Sequence, residues 1–205
     1  MTTISIIGTG NMAAAIGTRA AVHGYTVEIL GRDAAKAEAL ATRIGHGATT
    51  AEYGSTPAGD IVIVAILFAD SVGVVTHFGE ALAGKILIDI SNPFNADASG
   101  VVTTAGHSVA EQIAAVAPEG AHVVKAFNTI FGGVIAADSP LDVFFAGDSA
   151  TAKAQVADFV DAMGMQPRDA GPLRMAHALE WAGILLVGLA GNGAGFGASL
   201  KVEVR

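Results

Sequence analysis

The sequence of 205 residues predicts an α/β fold built on a doubly wound parallel sheet. Short apolar runs alternate along the chain with segments of helical period, which is the order expected of parallel strands with helices on both faces of the sheet. One run, residues 61–66, is continuously apolar without polar alternation, as in a strand that is buried on both faces. Since 52% of the residues are hydrophobic and 15% are charged, the composition favours packed layers over disorder.

The strands and helices follow from these runs and from the glycine, proline and capping residues between them. Seven strands are predicted at residues 4–7, 26–30, 61–66, 85–90, 122–126, 141–146 and 165–169. Six helices are predicted at residues 11–23, 34–44, 70–84, 108–117, 151–163 and 173–189, with Asp33 as the cap of the second and Asp70 or Ser71 at the start of the third. Residues 45–57 and 96–106 are predicted loops. Residues 1–170 are therefore expected to form one Rossmann domain, and residues 171–205 a short helical appendage that ends in a glycine-rich turn.

The turn after the first strand contains Gly8, Gly10 and Ala13 in the spacing G-x-G-x-x-A, directly before a helix. Gly8 permits the tight turn, Gly10 lets a pyrophosphate approach the backbone, and Ala13 lets the helix pack close to the strand. The helix N-terminus offers N–H groups and the positive end of a dipole to the phosphates. This stretch predicts a dinucleotide-binding site.

The end of the second strand indicates which dinucleotide is bound. Sites for NAD place Asp or Glu there, where it binds the ribose hydroxyls, but this chain has Gly31 and Arg32, with Lys36 one turn later. A guanidinium and an ammonium at this position suit a 2′-phosphate, so we expect NADP rather than NAD. Asp33 could still take the ribose role, whereas Glu28 lies inside the strand.

Ligands of open α/β sheets lie beyond the carboxyl ends of the strands. There Ile66, Leu67 and Phe68 are predicted as apolar walls. Asn92, Asn128 and Thr129 could hydrogen-bond a nicotinamide carboxamide or a second ring, although the segment Ser91-Asn92-Pro93 is equally well explained as a turn.

Groups for proton transfer are scarce. The chain has no cysteine and its six histidines are scattered, so no metal site and no catalytic side chain are predicted. His177 is the only histidine expected near a pocket. Hydride transfer between two bound cofactors needs only their orientation, whereas reduction of a ketone or imine usually needs a placed acid.

The formal net charge of −8 argues against nucleic acid and anionic membranes as partners. No signal peptide is recognised, and the apolar runs at residues 61–69 and 181–190 are shorter than the ~20 residues of a membrane-spanning helix. A cytoplasmic protein is expected.

The chain resembles the family of NADP oxidoreductases that use the deazaflavin coenzyme F420. The matching residues are Gly8-Thr9-Gly10-Asn11-Met12, Gly31-Arg32 with Lys36, Val124-Lys125-Ala126-Phe127-Asn128-Thr129, Asp169-Ala170-Gly171-Pro172-Leu173 and Asn192-Gly193-x-Gly195. The same Lys-Ala-Phe-Asn pattern is similar to the cytosolic domain of transmembrane metalloreductases. Two departures are Gly31, where the family often has Ser, and the segment Ile66-Leu67-Phe68, where the family often has an Ile-Pro pair.

The resemblance implies that NADPH binds to the first half of the chain. A deazaflavin, or an ordinary flavin such as FMN or FAD, would lie between the strand ends and the C-terminal helix with its glycine turn. A hydride would then pass directly between nicotinamide C4 and deazaflavin C5, with no catalytic side chain.

Two alternatives stay open at this point. One is a small imine or carbonyl reductase similar to pyrroline-carboxylate reductase, for which residues 172–205 are a short substrate domain. The other is a non-catalytic NADP-binding module. The apolar final helix could also supply the face of a homodimer.

Overall fold

One eight-stranded sheet organises the computed structural model, which describes residues 2–203. Its strands are β1 Thr3–Ile7, β2 Thr26–Leu30, β3 Thr49–Ala51, β4 Ile61–Val64, β5 Ile86–Asp89, β6 His122–Ala126, β7 Asp142–Gly147 and β8 Gln166–Asp169. Their order in the sheet is β3-β2-β1-β4-β5-β6-β7-β8. The chain order reverses between β1 and β4, which is where doubly wound sheets bind their ligands. The predicted fold class is confirmed.

Within residues 2–203, seven α-helices cover the two faces of the sheet. They are α1 Asn11–Val22, α2 Ala34–Ile44, α3 Phe68–Phe78, α4 Val109–Val116, α5 Gly132–Ala136, α6 Ala150–Ala162 and α7 Ala176–Leu189. Residues of α1, α2, α5 and α6 share one buried apolar cluster with Ile4 and Ile6 of β1. Residues of α3 and α4, with the first residue of α7, form a second cluster with Ile7 and the alternate residues of β4. Successive residues of a strand thus serve opposite layers.

One strand pairing differs from the predicted parallel sheet. β7 runs antiparallel to β6, with Val124 opposite Gly147, while every other pairing described is parallel. A parallel connection needs a crossover that returns the chain to the opposite edge, usually by a long helix. The link between β6 and β7 contains only the five-residue α5, so β7 starts near the edge at which β6 ended.

Several elements and boundaries differ from the sequence prediction; for example, β4 ends at Val64 and not at residue 66, and α3 ends at Phe78 and not at residue 84. β3 lies inside a predicted loop, because an exposed, threonine-rich edge strand of three residues has no apolar signature. α5 was not predicted either. α3 begins at Phe68 instead of Asp70 or Ser71, and Leu67 at its start makes no side-chain cap, so the usual capping signal is missing.

Arg19 of α1 connects three parts of one layer. Its guanidinium donates to the carbonyl oxygens of Met163, Ile135 and Ser139 over 2.9–3.1 Å, and only 3% of the residue is exposed. Two of these carbonyls lie at the C-terminal ends of α5 and α6, where a cation meets the negative end of the helix dipole. Arg19 therefore holds α1, α5 and α6 in fixed relative positions.

The C-terminal segment begins at Leu173 with helical turns that pack against the sheet. A 3₁₀ turn, Leu173–Met175, leads into α7, and a π-helical turn over Ala190–Ala194 follows. The helical stretch Leu173–Ala194, longer than the predicted 181–190 run, could span a membrane by length and composition alone, with a mean hydropathy of 1.3. In the structure 39% of its most apolar window is buried. The tail then returns to β7, where the Val202 N–H donates to Asp142 over 2.6 Å.

Candidate functional site

A cleft of about 500 Å³ lies at the carboxyl ends of β1, β4 and β5. Residues from four loops and helix starts form its walls, namely Thr9, Gly10, Asn11, Met12, Arg32, Ala65, Ile66, Leu67, Phe68, Asp70, Ile90, Ser91 and Asn92. A narrower pocket of about 180 Å³ lies beside it, and Thr9, Arg32, Ile66 and Asp70 line both. The predicted residues Gly8, Gly31 and Lys36 line the narrower pocket.

The glycine turn has the geometry that a dinucleotide requires. Gly8 has φ +125°, and a Cβ there would overlap the Ala65 carbonyl oxygen, so a side chain is excluded by the fold itself. Gly10 is different, because a Cβ there would meet no atom within 4 Å. The space in front of Gly10 is open to a ligand, and no side chain caps α1 at this residue. Its first-turn N–H groups are left for a phosphate.

The narrower pocket contains the two cations predicted for a 2′-phosphate, and each has a carboxylate nearby. Arg32 Nη2 lies 3.8 Å from Asp70 Oδ2, and Lys36 Nζ lies 3.5 Å from Asp33 Oδ2. Asp33 also caps α2 by accepting the Lys36 N–H over 3.1 Å. That hydrogen bond, above all, lowers the pKa of the Asp33 carboxyl. These groups form a rim of mixed charge in which the cationic side chains, 73% and 72% exposed, are more exposed than the carboxylates, which are 52% and 50% exposed.

Gly31 is required by its neighbours. A Cβ at this position would lie 2.8 Å from Thr9 Cγ2 and 3.3 Å from Ala37 Cβ, closer than ordinary van der Waals contact. A serine would therefore require the Thr9 side chain to shift. The absence of a hydroxyl at position 31 leaves Arg32 and Lys36 as the predicted donors for an anion.

Tyr53, which follows β3, lines the narrower pocket and was missed by the sequence analysis. Its ring stacks on His77 with centroids 5.1 Å apart and an interplanar angle of 18°. Burial raises the pKa of the Tyr53 phenol; Arg32 opposes this and Asp70 adds to it. Tyr53 thus supplies an aromatic wall beside Arg32 and Lys36. The polar composition of residues 45–57 did not indicate that this loop contributes to a pocket.

The segment after β5 joins the cleft to the C-terminal helix. Asn92 Nδ2 donates to the Asn128 carbonyl oxygen over 2.8 Å, and Asn128 Nδ2 donates to Asn92 Oδ1 over 3.0 Å and to the Leu179 carbonyl oxygen of α7 over 2.8 Å. A Cβ at Gly183 of α7 would lie 2.8 Å from Asn92 Oδ1. The cleft wall and α7 are therefore in direct contact.

Three of the predicted site residues are not on the cleft walls. Pro93, Asn128 and Thr129 are buried behind Asn92, so the structure brings them near the cleft without exposing them to it. The side-chain oxygens Thr129 Oγ1, Asn128 Oδ1 and Ser91 Oγ are buried and have no hydrogen-bond partner in the part of the chain that the structure describes. Direct contact of these residues with a cofactor remains a prediction.

A buried ion pair lies beneath the same segment. Lys125 of β6 places Nζ 2.7 Å from Asp89 Oδ2, and neither side chain is exposed. Lys125 also donates to the Ser91 carbonyl oxygen, and Asp89 Oδ1 accepts the Ser91 N–H over 2.9 Å. The pair fixes the backbone from which Ser91 and Asn92 project.

The ionisable groups of the cleft are confined to one end. Among its lining residues only Arg32 and Asp70 carry charge, and both also line the narrower pocket. The remaining walls are apolar, amide or hydroxyl groups. No cluster of metal-ligating side chains occurs between residues 2 and 203.

His177 lies away from this cleft, on α7. Its Nδ1 is 3.4 Å from Glu180 Oε2, and its Nε2 accepts from the Trp181 indole N–H over 3.3 Å. Glu180 is fully buried and accepts the Val109 N–H over 2.9 Å at the start of α4. The histidine belongs to the packing of α7 against α4.

Residues 3–93 match the model of the family described as "NADP oxidoreductase coenzyme F420-dependent". A solved structure from Arthrobacter sp. FB24, named as a candidate F420-dependent NADP reductase, is 26% identical, covers 98% of this chain and 99% of its own, and has a TM-score of 0.85. The two chains thus share the same fold over almost their whole lengths.

Two other relatives are longer than this chain. Metalloreductase STEAP3 of Rattus norvegicus is 31% identical over 180 residues, which is 86% of this chain but 35% of that protein. This chain therefore spans about a third of the curated relative's length. An imine reductase of Streptomyces aurantiacus shares the fold at 20% identity, with a TM-score of 0.66 over 93% of this chain and 63% of its own.

Proposed function

We propose that this chain transfers a hydride between NADP(H) and a deazaflavin or flavin, and the match of residues 3–93 to the family of coenzyme-F420-dependent NADP oxidoreductases supports this, as does the similarity to the Arthrobacter structure. NADP(H) would occupy the glycine turn and the narrower pocket. The open space at Gly10 and the uncapped start of α1 fit its pyrophosphate. Arg32 and Lys36 would bind the 2′-phosphate.

The observation that carries the proposal is the neutral character of the cleft away from Arg32 and Asp70. When both cofactors are bound, they supply the hydride donor and acceptor themselves. This chain's residues then need only bind the rings, hold them in contact and keep water out. Leu67 and Phe68 provide an apolar wall, of which Leu67 is 75% exposed. Leu67 is thus available to cover a flat second ring.

The same observation weighs against the two alternatives. A reductase of imines or carbonyl compounds usually places a proton donor beside the substrate, and the walls near Asn92 and Ile90 contain no ionisable side chain among the described residues. A non-catalytic module would have no need of an apolar, accessible wall next to the dinucleotide. It stays a testable alternative.

The decisive experiment mixes the purified chain with NADPH and then, anaerobically, with a deazaflavin, FMN or FAD, and follows the nicotinamide absorbance by stopped flow. Rapid oxidation by one of the three supports the proposal, and a rate that is flat between about pH 5 and 8 supports transfer without a protein acid. Tight NADPH binding without oxidation by any acceptor would favour the module. Oxidation only by an imine or ketone would favour the reductase.

The remaining partner predictions belong to this proposal too. A small-molecule redox cofactor is the expected partner, and neither nucleic acid nor a membrane is proposed. Cytoplasmic location and the option of a homodimer stay predictions. Trp181, Leu185 and Leu189 lie along one side of α7 and are 45–55% exposed, and light scattering of the purified chain gives the oligomeric state.

A further inference from the structure

Arg32 stands between the two pockets, opposite a carboxylate from a different element. Arg32 follows β2, whereas Asp70 lies in the first turn of α3. Their side chains are 73% and 52% exposed, with 3.8 Å between Nη2 and Oδ2, and both residues line both pockets. The pair therefore lies where the two pockets adjoin.

The Asp70 carboxylate has no ion-pair partner other than Arg32 within residues 2–203, and it forms no side-chain hydrogen bond there. Its other role is that of an acidic residue in the first turn of α3, where a negative charge favours the helix dipole. Asp33, beside Lys36, differs because its carboxylate is held by the cap of α2. Asp70 is thus the carboxylate whose removal changes the charge of the rim with least effect on the helices.

We propose that Asp70 is a specificity-determining residue that pairs with Arg32 in the free protein and competes with the 2′-phosphate of NADP(H). This inference rests on the proposed function, because it assigns Arg32 to that phosphate. Binding of NADPH breaks the Arg32–Asp70 pair and brings a dianion close to a carboxylate. NADH brings no such charge, so Asp70 lowers the preference of the site for NADPH over NADH.

The size of the effect follows from exposure. An ion pair between exposed side chains is weak and screened by salt, so Asp70→Asn is expected to lower the dissociation constant of NADPH about two- to fivefold. The constant for NADH should change less than about twofold. Both shifts should shrink as the salt concentration rises.

The experiment measures the dissociation constants of NADPH and NADH by titration of the protein, for the wild type, Asp70→Asn, Arg32→Ala and the double variant. If Asp70 acts mainly by occupying Arg32, most of the gain in NADPH affinity disappears in the Arg32→Ala background. Asp60→Asn is the matched control. Asp60 is a 90% exposed carboxylate paired with Lys85, and it immediately precedes β4, at the opposite edge of the sheet. Circular dichroism and thermal melting show that each variant is folded.

The possible outcomes distinguish a failure of the role inferred for Asp70 from a failure of the proposed function. A wild-type chain that binds NADPH, together with an Asp70→Asn variant whose NADPH-to-NADH preference is unchanged or lower, overturns the role of Asp70 alone. The same holds if the gain persists fully without Arg32, or if Asp60→Asn produces an equal gain. A wild-type chain that binds neither nucleotide, or favours NADH, instead overturns the proposed function.

Discussion

Lys125 Nζ and Asp89 Oδ2 lie 2.7 Å apart between β6 and β5, with both side chains fully buried. The pair occupies the sheet directly below the segment that forms one wall of the cleft. A buried ion pair contributes little net stability, but removal of one partner leaves an uncompensated charge. We therefore infer that the main role of the pair is to fix the position of Ser91 and Asn92.

Lys125→Met is expected to lower the free energy of unfolding by about 3–5 kcal/mol, since Asp89 would be left buried without its cation. The double variant Lys125→Met with Asp89→Asn should recover most of this loss, because the amide still accepts the Ser91 N–H. Urea unfolding followed by circular dichroism measures both. Equal instability of the single and double variants would contradict the interpretation.

Arg32→Ala is expected to raise the dissociation constant of NADPH about tenfold or more, since a charge-assisted hydrogen bond contributes ~1.5–3 kcal/mol. The constant for NADH should hardly change. Arg43→Ala, at an exposed arginine near the end of α2, is the charge-matched control. Equal effects of Arg32→Ala on the two nucleotides would remove the case for a 2′-phosphate site.

Gly10→Val is expected to abolish dinucleotide binding while the thermal melting temperature stays within a few degrees, because the new side chain enters open space. Gly8→Ala should instead destabilise the fold, since its Cβ overlaps the Ala65 carbonyl oxygen at a positive φ that disfavours alanine. Titration and melting of the two variants distinguish them. Retained binding in Gly10→Val would refute the placement of the pyrophosphate.

The lowered pKa of Asp142 predicts that the stability of the fold depends on pH in the acid range. Burial on its own would raise the pKa of this carboxyl, but hydrogen bonds from Arg168 and the Val202 N–H outweigh it and lower the pKa. The folded-state pKa is then below the unfolded value of about 3.9. The stabilisation is present above that value and is lost as the pH falls through the folded pKa.

Asp142→Asn should therefore lose stability at neutral pH but show a shallower decline than the wild type below about pH 4. Urea midpoints measured across the acid range test this. Other carboxyls with lowered pKa values, such as Asp33 and Asp138, keep their contribution in both proteins. Parallel acid profiles of the variant and the wild type would contradict the assignment.

Sequence reasoning predicted most of the sheet because buried parallel strands and glycine turns have strong local signatures. β1, β2 and β6 are found at or within one residue of their expected bounds. β3 and α5 were missed because each is too short to show a period. The antiparallel β7 depends on the length of a connection, which no local pattern records.

The glycine turn and the Arg32–Lys36 pair could be placed from sequence because they lie at fixed distances from β1 and β2. Tyr53 and Asp70 could not, since they reach the pocket only through the packing of β3 and α3 beside β2 and β4. Asn128 was predicted from the sequence as a ligand-binding amide, and this contact stays a prediction. Its Nδ2 joins Asn92 to Leu179, a packing role that depends on α7 and that the sequence did not indicate.

Because of Gly183, α7 is expected to respond to cofactor binding although it does not line the cleft. Since the helix touches Asn92 where a single methyl group would already be too large, an occupant that displaces Asn92 must also displace α7. A changed rate of exchange of the α7 amide protons with deuterium would then register cofactor binding from a helix that contributes nothing to the cleft walls in the described residues.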